Sequence, residues 1–420
     1  MRGLSILFFL LISNSMLAQV YTEKQTRHRF AQLNFGIDLA VNSTGNSFYQ
    51  NQFGEKEKLK IPTSIQPRLI FGGTHFWGHA DFTLSIPLHH QTFKSDNQTI
   101  NYRTGVETAL KFYPWRIENR KLRLYIGVAM HVFEYEQDNG FLNWGDGPNL
   151  QLTRYPILSG LTYNLNNQLF ELGVSYNFQN STSYYYTQNQ REISNLPSFQ
   201  FHFSYRFMID TSISAEEGWE SGETREITEK LAGKKRLNRV FVGAGLSSVF
   251  WLDKSEYNTQ NHPSVEKFQI SIFPDLSVGY YFYKPDLNIA FAYRNYKAKT
   301  GAYGVDQEAK RMSLGLEVTK FLFDYHGFAP FVGPIFSWED LNFKQRQNGA
   351  ETIDASNSKL TYGITFGWDI RINQLQSWLL RTNLRWSPQL ELDIEQSTPM
   401  LFNSLEFNFI QLVVFPERMF

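Results

Sequence analysis

The chain has 420 residues, with 40 basic and 40 acidic side chains, so its formal net charge is zero. That balance gives no basic surplus for nucleic acid. Cysteine is absent, which excludes disulfides, thiolate nucleophiles, Cys-ligated zinc and iron–sulfur clusters. Aromatic residues make up 16% of the chain, and after residue 20 no run reaches the roughly 18–20 apolar residues of a membrane-spanning helix.

The first segment reads as an export leader, residues 1–19. Arg2 precedes an apolar run, Leu4–Ile12, and then small residues up to Ala18. From residue 20 the chain alternates with period two. Ala31, Leu33, Phe35, Ile37 and Leu39 share one face; so do Phe76, Ala80, Phe82, Leu84 and Ile86. The same pattern covers Leu122–Met130, Phe170–Phe178, Phe199–Phe207, Met312–Val318, Leu360–Trp368 and Trp378–Trp386. Sixteen such segments are readable, most about 10–13 residues long, against about 5–6 for strands of soluble folds. A tilted strand crossing a bilayer needs about 9–11 residues.

Connections alternate too. Long polar ones fall at 42–61, 89–99, 135–149, 180–197, 252–267, 297–309, 339–358 and 388–401. Most of the intervening ones are short: Gly72–His75, Pro114–Arg120, Asn164–Asn167, Tyr283–Asp286, Asp324–Gly327 and Asn373–Gln376. Long loops on one side and short turns on the other are the topology of an outer-membrane barrel. The apolar faces carry no charge, which near the bilayer midplane would cost about 2–4 kcal/mol. The charges fall on the opposite, lumenal face: Asp38, Arg68, Asp81, Glu107, Lys111, Arg123, Glu171, Arg206, Asp275, Glu317, Asp369, Arg381 and Arg385. Three features resist a regular pattern. The sixth strand slips phase near Arg154, Gln411 falls in the outward register and calls for a bulge, and Pro67 and Pro274 sit inside strands.

The two halves repeat. Ser64–Leu69 matches Ser271–Leu276, Gly105–Glu107 matches Gly315–Glu317, and Ser198–Phe203 matches Ser404–Phe409, colinearly and about 205–210 positions apart. The fold class is therefore an all-β transmembrane antiparallel barrel of about sixteen strands, as a first eight-strand repeat (20–209), a charged linker on the short-turn side (210–238) and a second repeat (239–420). One wide barrel is the favoured closure. Two tandem eight-stranded barrels are the alternative, supported by inward glycines such as Gly173 and Gly279. Thr224–Leu231 in the linker can form a short helix ended by Gly233.

The chain resembles the outer-membrane β-barrel proteins of Bacteroidota, through Leu17-Ala18-Gln19, Phe203-Ser204-Tyr205-Arg206-Phe207 and the C-terminal Phe420 after an aromatic strand. The resemblance implies recognition of the last strand by the barrel-assembly machinery and contact with membrane lipid and surface polysaccharide. A periplasmic or membrane protein partner is a further expectation. Pro416–Met419 intervene before Phe420, so Phe415 is a second candidate for the terminal aromatic.

No nucleophile elbow, phosphate-binding loop or H-E-x-x-H helix occurs. No catalytic, cofactor or metal residue is assigned. His75, His79, His89 and His90 spread along a strand and are read as solvated or lumenal. Asp81, Glu107 and Glu171 are read as partners of Arg68, Arg103, Arg123 and Arg206 rather than as general acids. In the long loops Trp144, Asp146, Tyr184, Tyr185 and Tyr186 are the possible surface contacts, since aromatics beside amides suit sugar rings. The functional expectation is a non-enzymatic barrel, a passive pore or a structural or accessory subunit of a surface complex. The alternative is a loop-based receptor for carbohydrate, or an outer-membrane enzyme.

Overall fold

The computed structural model describes residues 31–418 except 52, 90, 96–97, 140–146, 148, 211–221, 326, 372–376, 389 and 395–396. The segment expected to be a leader, residues 1–19, lies outside the described residues, as do Trp144, Asp146 and the acidic start of the linker. In the first repeat the strands are β1 (Gln32–Asn42), β2 (Gly45–Gln50), β3 (Lys56–Ile61), β4 (Ser64–His75), β5 (Ala80–Pro87), β6 (Gln91–Ser95) and β7 (Gln98–Phe112). Then come β8 (Lys121–Asn139), β9 (Asn149–Arg154), β10 (Ile157–Leu165), β11 (Gln168–Tyr176), β12 (Ser181–Tyr185), β13 (Arg191–Asn195) and β14 (Phe199–Asp210). Helix α1 (Gly222–Gly233) occupies the linker, where the sequence places one. The second repeat holds β15 (Arg239–Trp251), helix α2 (Glu256–Asn261), β16 (Ser271–Phe282), β17 (Leu287–Ala302), β18 (Val305–Phe321) and β19 (Phe328–Gln347). It ends with β20 (Ala350–Arg371), β21 (Trp378–Trp386), β22 (Glu391–Leu392), β23 (Met400–Leu401) and β24 (Ser404–Val414).

The repeats close separately, which corrects the expectation of one wide barrel. Strand β14 lies on β1, with Phe207 opposite Phe35 and Phe203 opposite Leu39. Strand β15 lies on β24 instead, with Val242 opposite Val414. Because β14 is bonded on its other side to β11, no edge of it is left for β15. The second barrel runs β15-β16-β17-β18-β19-β20-β21-β24. The first runs β1-β4-β5-β7-β8, then β9 and β10 as one interrupted strand, then β11 and β14. Its seam is made by Ala129 N–H to Pro156 O (3.0 Å) and Arg120 N–H to Asn164 O (2.7 Å). The interruption, Tyr155-Pro156, is the phase slip expected near Arg154.

An eight-strand lumen is just wide enough for side chains, and small residues open room for large ones. A Cβ on Gly173 would stand 2.1 Å from the Tyr125 hydroxyl, and one on Gly279 would stand 2.4 Å from the Phe241 ring. Both inner walls use glycine where an aromatic crosses the lumen.

The irregular positions resolve physically. Leu246 pairs with Ile410 and Ser247 with Asn408, so Phe409 is the extra residue of a bulge that turns Gln411 inward. Pro67 and Pro274 each sit just above the last regular pair to the next strand, Arg68–Pro87 and Asp275–Arg294. A missing N–H costs no ladder bond there. The first short turn is displaced from Gly72–His75: β4 continues through His75, and Phe76-Trp77 turn with positive φ (51° and 57°). Phe76 therefore belongs to the turn rather than to the strand.

Several long connections are strand rather than loop. Strands β17 to β20 run 16, 17, 20 and 22 residues, joined at the top by Tyr303-Gly304 and Asn348-Gly349, all with positive φ. At about 3.3 Å per residue, β19 extends about 66 Å, well beyond an apolar band about 25 Å tall. The barrels stand side by side. Phe82 on β5 packs edge-on against Trp368 (5.9 Å) and Phe407 (6.5 Å), and Phe76 against Phe328 (5.4 Å). The outward face of β5 thus meets the second barrel.

Candidate functional site

Alternation directs one side chain in two into each lumen, and there the charges pair. In the first barrel Arg68 donates from Nε to Asp38 Oδ2 (2.6 Å), lies 3.3 Å from Glu107 and meets His202 Nδ1 at 2.8 Å. One layer nearer the periplasm, Arg206 donates to Asp81 (2.8 Å) and Glu171 (2.7 Å). Lys111 (2.5 Å) and the Tyr125 hydroxyl (2.8 Å) also donate to Glu171. Arg68 and Arg206 are essentially inaccessible, at 1% and 0% exposure. The space beside them is about 10 Å³, room for about one water.

The second barrel has the sign of its hub reversed. Asp275, at the repeat position of Arg68, accepts from Arg385 (2.6 Å), Ser247 and Asn408 (both 2.8 Å). Arg294 pairs with Glu317, which also receives Arg385 Nε at 2.9 Å. Arg311 forks onto Glu339 with two bonds of 2.7 Å and reaches Glu406 at 2.5 Å. Arg381 forks onto Asp369 (2.7 and 2.8 Å). Planar guanidinium on carboxylate satisfies both partners geometrically, which a dry lumen requires.

Twelve of the thirteen charges assigned to the lumen are buried in these two networks; Arg123 instead sits half-buried at the periplasmic rim. There it donates to Glu118 (2.7 Å), and Arg116 and Arg123 hold that carboxyl below its ordinary pKa. Sequence reasoning missed Arg294, Arg311, Glu339 and Glu406. Arg294 and Arg311 continue the alternation of their strands and were legible; the bulge at Phe409 obscured the phase around Glu406.

Above the membrane each barrel wears a cap. Over the first, β12-β13-β2-β3 form a four-stranded sheet whose underside buries Tyr49, Leu59, Phe133, Tyr135, Leu150, Tyr184 and Tyr186. The Tyr184 hydroxyl accepts from Ser47 (2.7 Å) and Phe48 N–H (2.6 Å). Tyr184 and Tyr186 are therefore buried struts, which corrects their reading as open stacking surfaces; Tyr185 is half-buried. Over the second barrel, α2 and the β22–β23 hairpin cover a core of Trp251, Tyr257, Phe268, Phe343, Leu390, Met400 and Phe402. Ser255 caps α2 by accepting from Asn258 N–H (3.1 Å). The caps join where Tyr303 donates to Tyr185 O (2.8 Å) and the Tyr185 ring lies between Arg191 and Lys254. Beside this joint, burial holds the Glu266 carboxyl above its ordinary pKa despite Lys254, Arg191 and Lys267.

Outside, the barrels are apolar. Ile37, Leu122, Leu172, Phe203, Phe291, Leu360 and Tyr362 are exposed around them, while every charge of the two networks is inside. No helix among the described residues is long and apolar enough to cross a membrane; strands do so here. This is an outer-membrane β-barrel protein. No family model and no curated protein matches the chain. Among solved structures it is similar to Neisserial surface protein A, at 16% identity over 42% of this chain and 96% of that one, TM-score 0.30. Ail, the attachment invasion locus protein of Yersinia pestis, matches at 10% identity over the same shares, TM-score 0.26. The toluene transporter TodX of Pseudomonas putida matches at 10% identity over 92% of this chain and 90% of its own, TM-score 0.19.

Among the described residues no group of three or more His, Asp or Glu is placed to hold a metal ion. His79 is engaged with Tyr113 O (2.9 Å).

Proposed function

We propose that this protein is a structural, non-catalytic subunit of the bacterial surface: two plugged barrels that anchor one extracellular platform. The observation that carries this reading is the plugging. Buried Arg–carboxylate contacts cross each lumen, bridging Asp81 and Glu171 in the first barrel and forked onto Glu339 and Asp369 in the second, and the space left in the first accommodates about one water. A passive pore needs a continuous wet path, and the paired charges across both lumens speak against one. The extended strands and joined caps direct the accessible polar surface outward.

The test is conductance. Protein reconstituted into planar bilayers should give no stable current steps above the bare-membrane baseline. Steady ohmic steps from folded protein would restore the pore reading and end this one.

The receptor alternative has one specific support. Lys56, Lys58 and Lys60 all project from β3, an edge strand of the platform sheet, and among the described residues Lys58 and Lys60 form no ion pair. A row of ammonium groups about 7 Å apart protects a sheet edge from pairing, and it is also complementary to an anionic surface glycan. Binding of acidic polysaccharide lost in a Lys58→Glu/Lys60→Glu variant would favour this reading.

A further inference from the structure

The contact between the barrels is tight on one side and open on the other. Where Phe82 meets Trp368 and Phe407, the rings interlock, and the adjoining gap lined by Gly72, Phe82 and Trp368 is about 50 Å³. Higher up, toward the extracellular face, the barrels part around a cavity of about 330 Å³. Its apolar walls are Ile86, Val106 and Val132 from the first barrel and Phe250, Ile272 and Phe409 from the second, and Glu134 is the one charged residue of its lining among the described residues.

Two independent irregularities shape this cavity. On β7 the register to β8 shifts between Thr104 and Glu107, so Gly105-Val106 oppose Val132 alone. On β24 the extra residue is Phe409, as described above. Each barrel thus spends a bulge, which locally bends its wall, on the same space. The third feature is Ser248, on the outward face of β15. It is 1% exposed, it lines the cavity, and its hydroxyl has no hydrogen-bond partner among the described residues. Buried hydroxyls normally find a partner, so one facing an apolar cavity points to a polar group brought by an occupant.

We infer that this cleft is a binding site for one acyl chain of an outer-leaflet lipid, with Ser248 donating to an ester or amide oxygen of that lipid. Depth decides the occupant. The cleft continues the barrel–barrel interface, and Ile272 on its wall is also 54% exposed, as part of the apolar belt of the second barrel. Away from Glu134 and Ser248 the walls of Ile, Val and Phe offer water no partner, and an unfilled space there forfeits the dispersion contacts of its lining. A volume of 330 Å³ falls in the range of small-ligand pockets and is about twice a cavity that holds benzene. The lipid chain then acts as a third element of the interface, filling what the two walls leave open.

The full chain, reconstituted in phosphatidylcholine vesicles carrying a trace of phosphatidylcholine with a diazirine in its acyl chain, is irradiated and its adducts mapped. Val106, Val132 and Phe250 should carry severalfold more label than Leu124 and Leu360 on the open belts. Val132→Trp, which fills the cleft, should remove that excess while leaving label on the belts unchanged. Equal labelling of cleft and belts in the wild type overturns the inference without need of any variant. An excess that persists in a folded Val132→Trp protein overturns it as well.

Discussion

Replacing Arg206 by Met tests whether the lumen is a dry ionic core or a hydrated channel. Arg206 is fully buried and holds Asp81 at 2.8 Å, Glu171 at 2.7 Å and the Asn34 side-chain oxygen at 3.3 Å. Glu171 keeps Lys111 and Tyr125 after the change, whereas Asp81 loses its cation and, among the described residues, retains the Asn34 amide at 3.2 Å. Removing one partner of a buried pair costs about 3–5 kcal/mol, because the other charge stays desolvated. With Glu171 still paired, Arg206→Met belongs at the lower end, about 3 kcal/mol. In a water-filled lumen the same pair would be worth about 0–1 kcal/mol. Urea unfolding in phospholipid vesicles, followed by Trp fluorescence, measures the difference. Adding Asp81→Asn should recover much of the loss, since the orphaned carboxylate is then gone. A single-variant cost under about 1 kcal/mol, or no recovery in the double variant, refutes the argument.

Three further outcomes follow from the same geometry. The conductance experiment above should read zero. Cysteines introduced as Leu124→Cys and Leu360→Cys, both on exposed belts, should resist a water-soluble maleimide in intact membranes, while Lys58→Cys should react. Equal reaction at all three would remove the belts from hydrocarbon. Around Glu266, burial raises the folded-state pKa above the ordinary 4.5. The junction between the caps is then most stable below that value, where the group is protonated folded or unfolded. It weakens as pH rises toward the raised folded-state pKa. Hydrogen exchange of residues 263–268 should accordingly be slower at acid pH, after correction for intrinsic rates. Glu266→Gln should flatten the dependence, and a flat wild-type profile would refute it.

Strand content, facing and membrane placement were legible because they are local properties. Period two sends alternate side chains to opposite faces, and hydrocarbon tolerates only one kind of face. Hence Asp38, Arg68 and Arg206 could be assigned to the lumen from their neighbours in sequence, and the bulge near Gln411 from a break in phase. The tops of β17 to β20 were not legible: above the membrane both faces meet water or a cap, so alternation fades although the ladder continues. Tyr184 and Tyr186 were misread for a related reason, since polar loop composition does not reveal a sheet folding back over its barrel.

What the amino-acid sequence alone determined, then, is a chain of two eight-strand repeats with ionic inner faces and apolar outer ones. Only the tertiary structure decided that each repeat closes on itself, since closure depends on whether β14 bonds to β1 or to β15, strands far apart or adjacent in the chain with equally suitable edges. Narrow closure in turn brings Arg206 within reach of both Asp81 and Glu171, on three different strands. That is why charges from distant parts of the chain meet across the lumen, which no local pattern reveals.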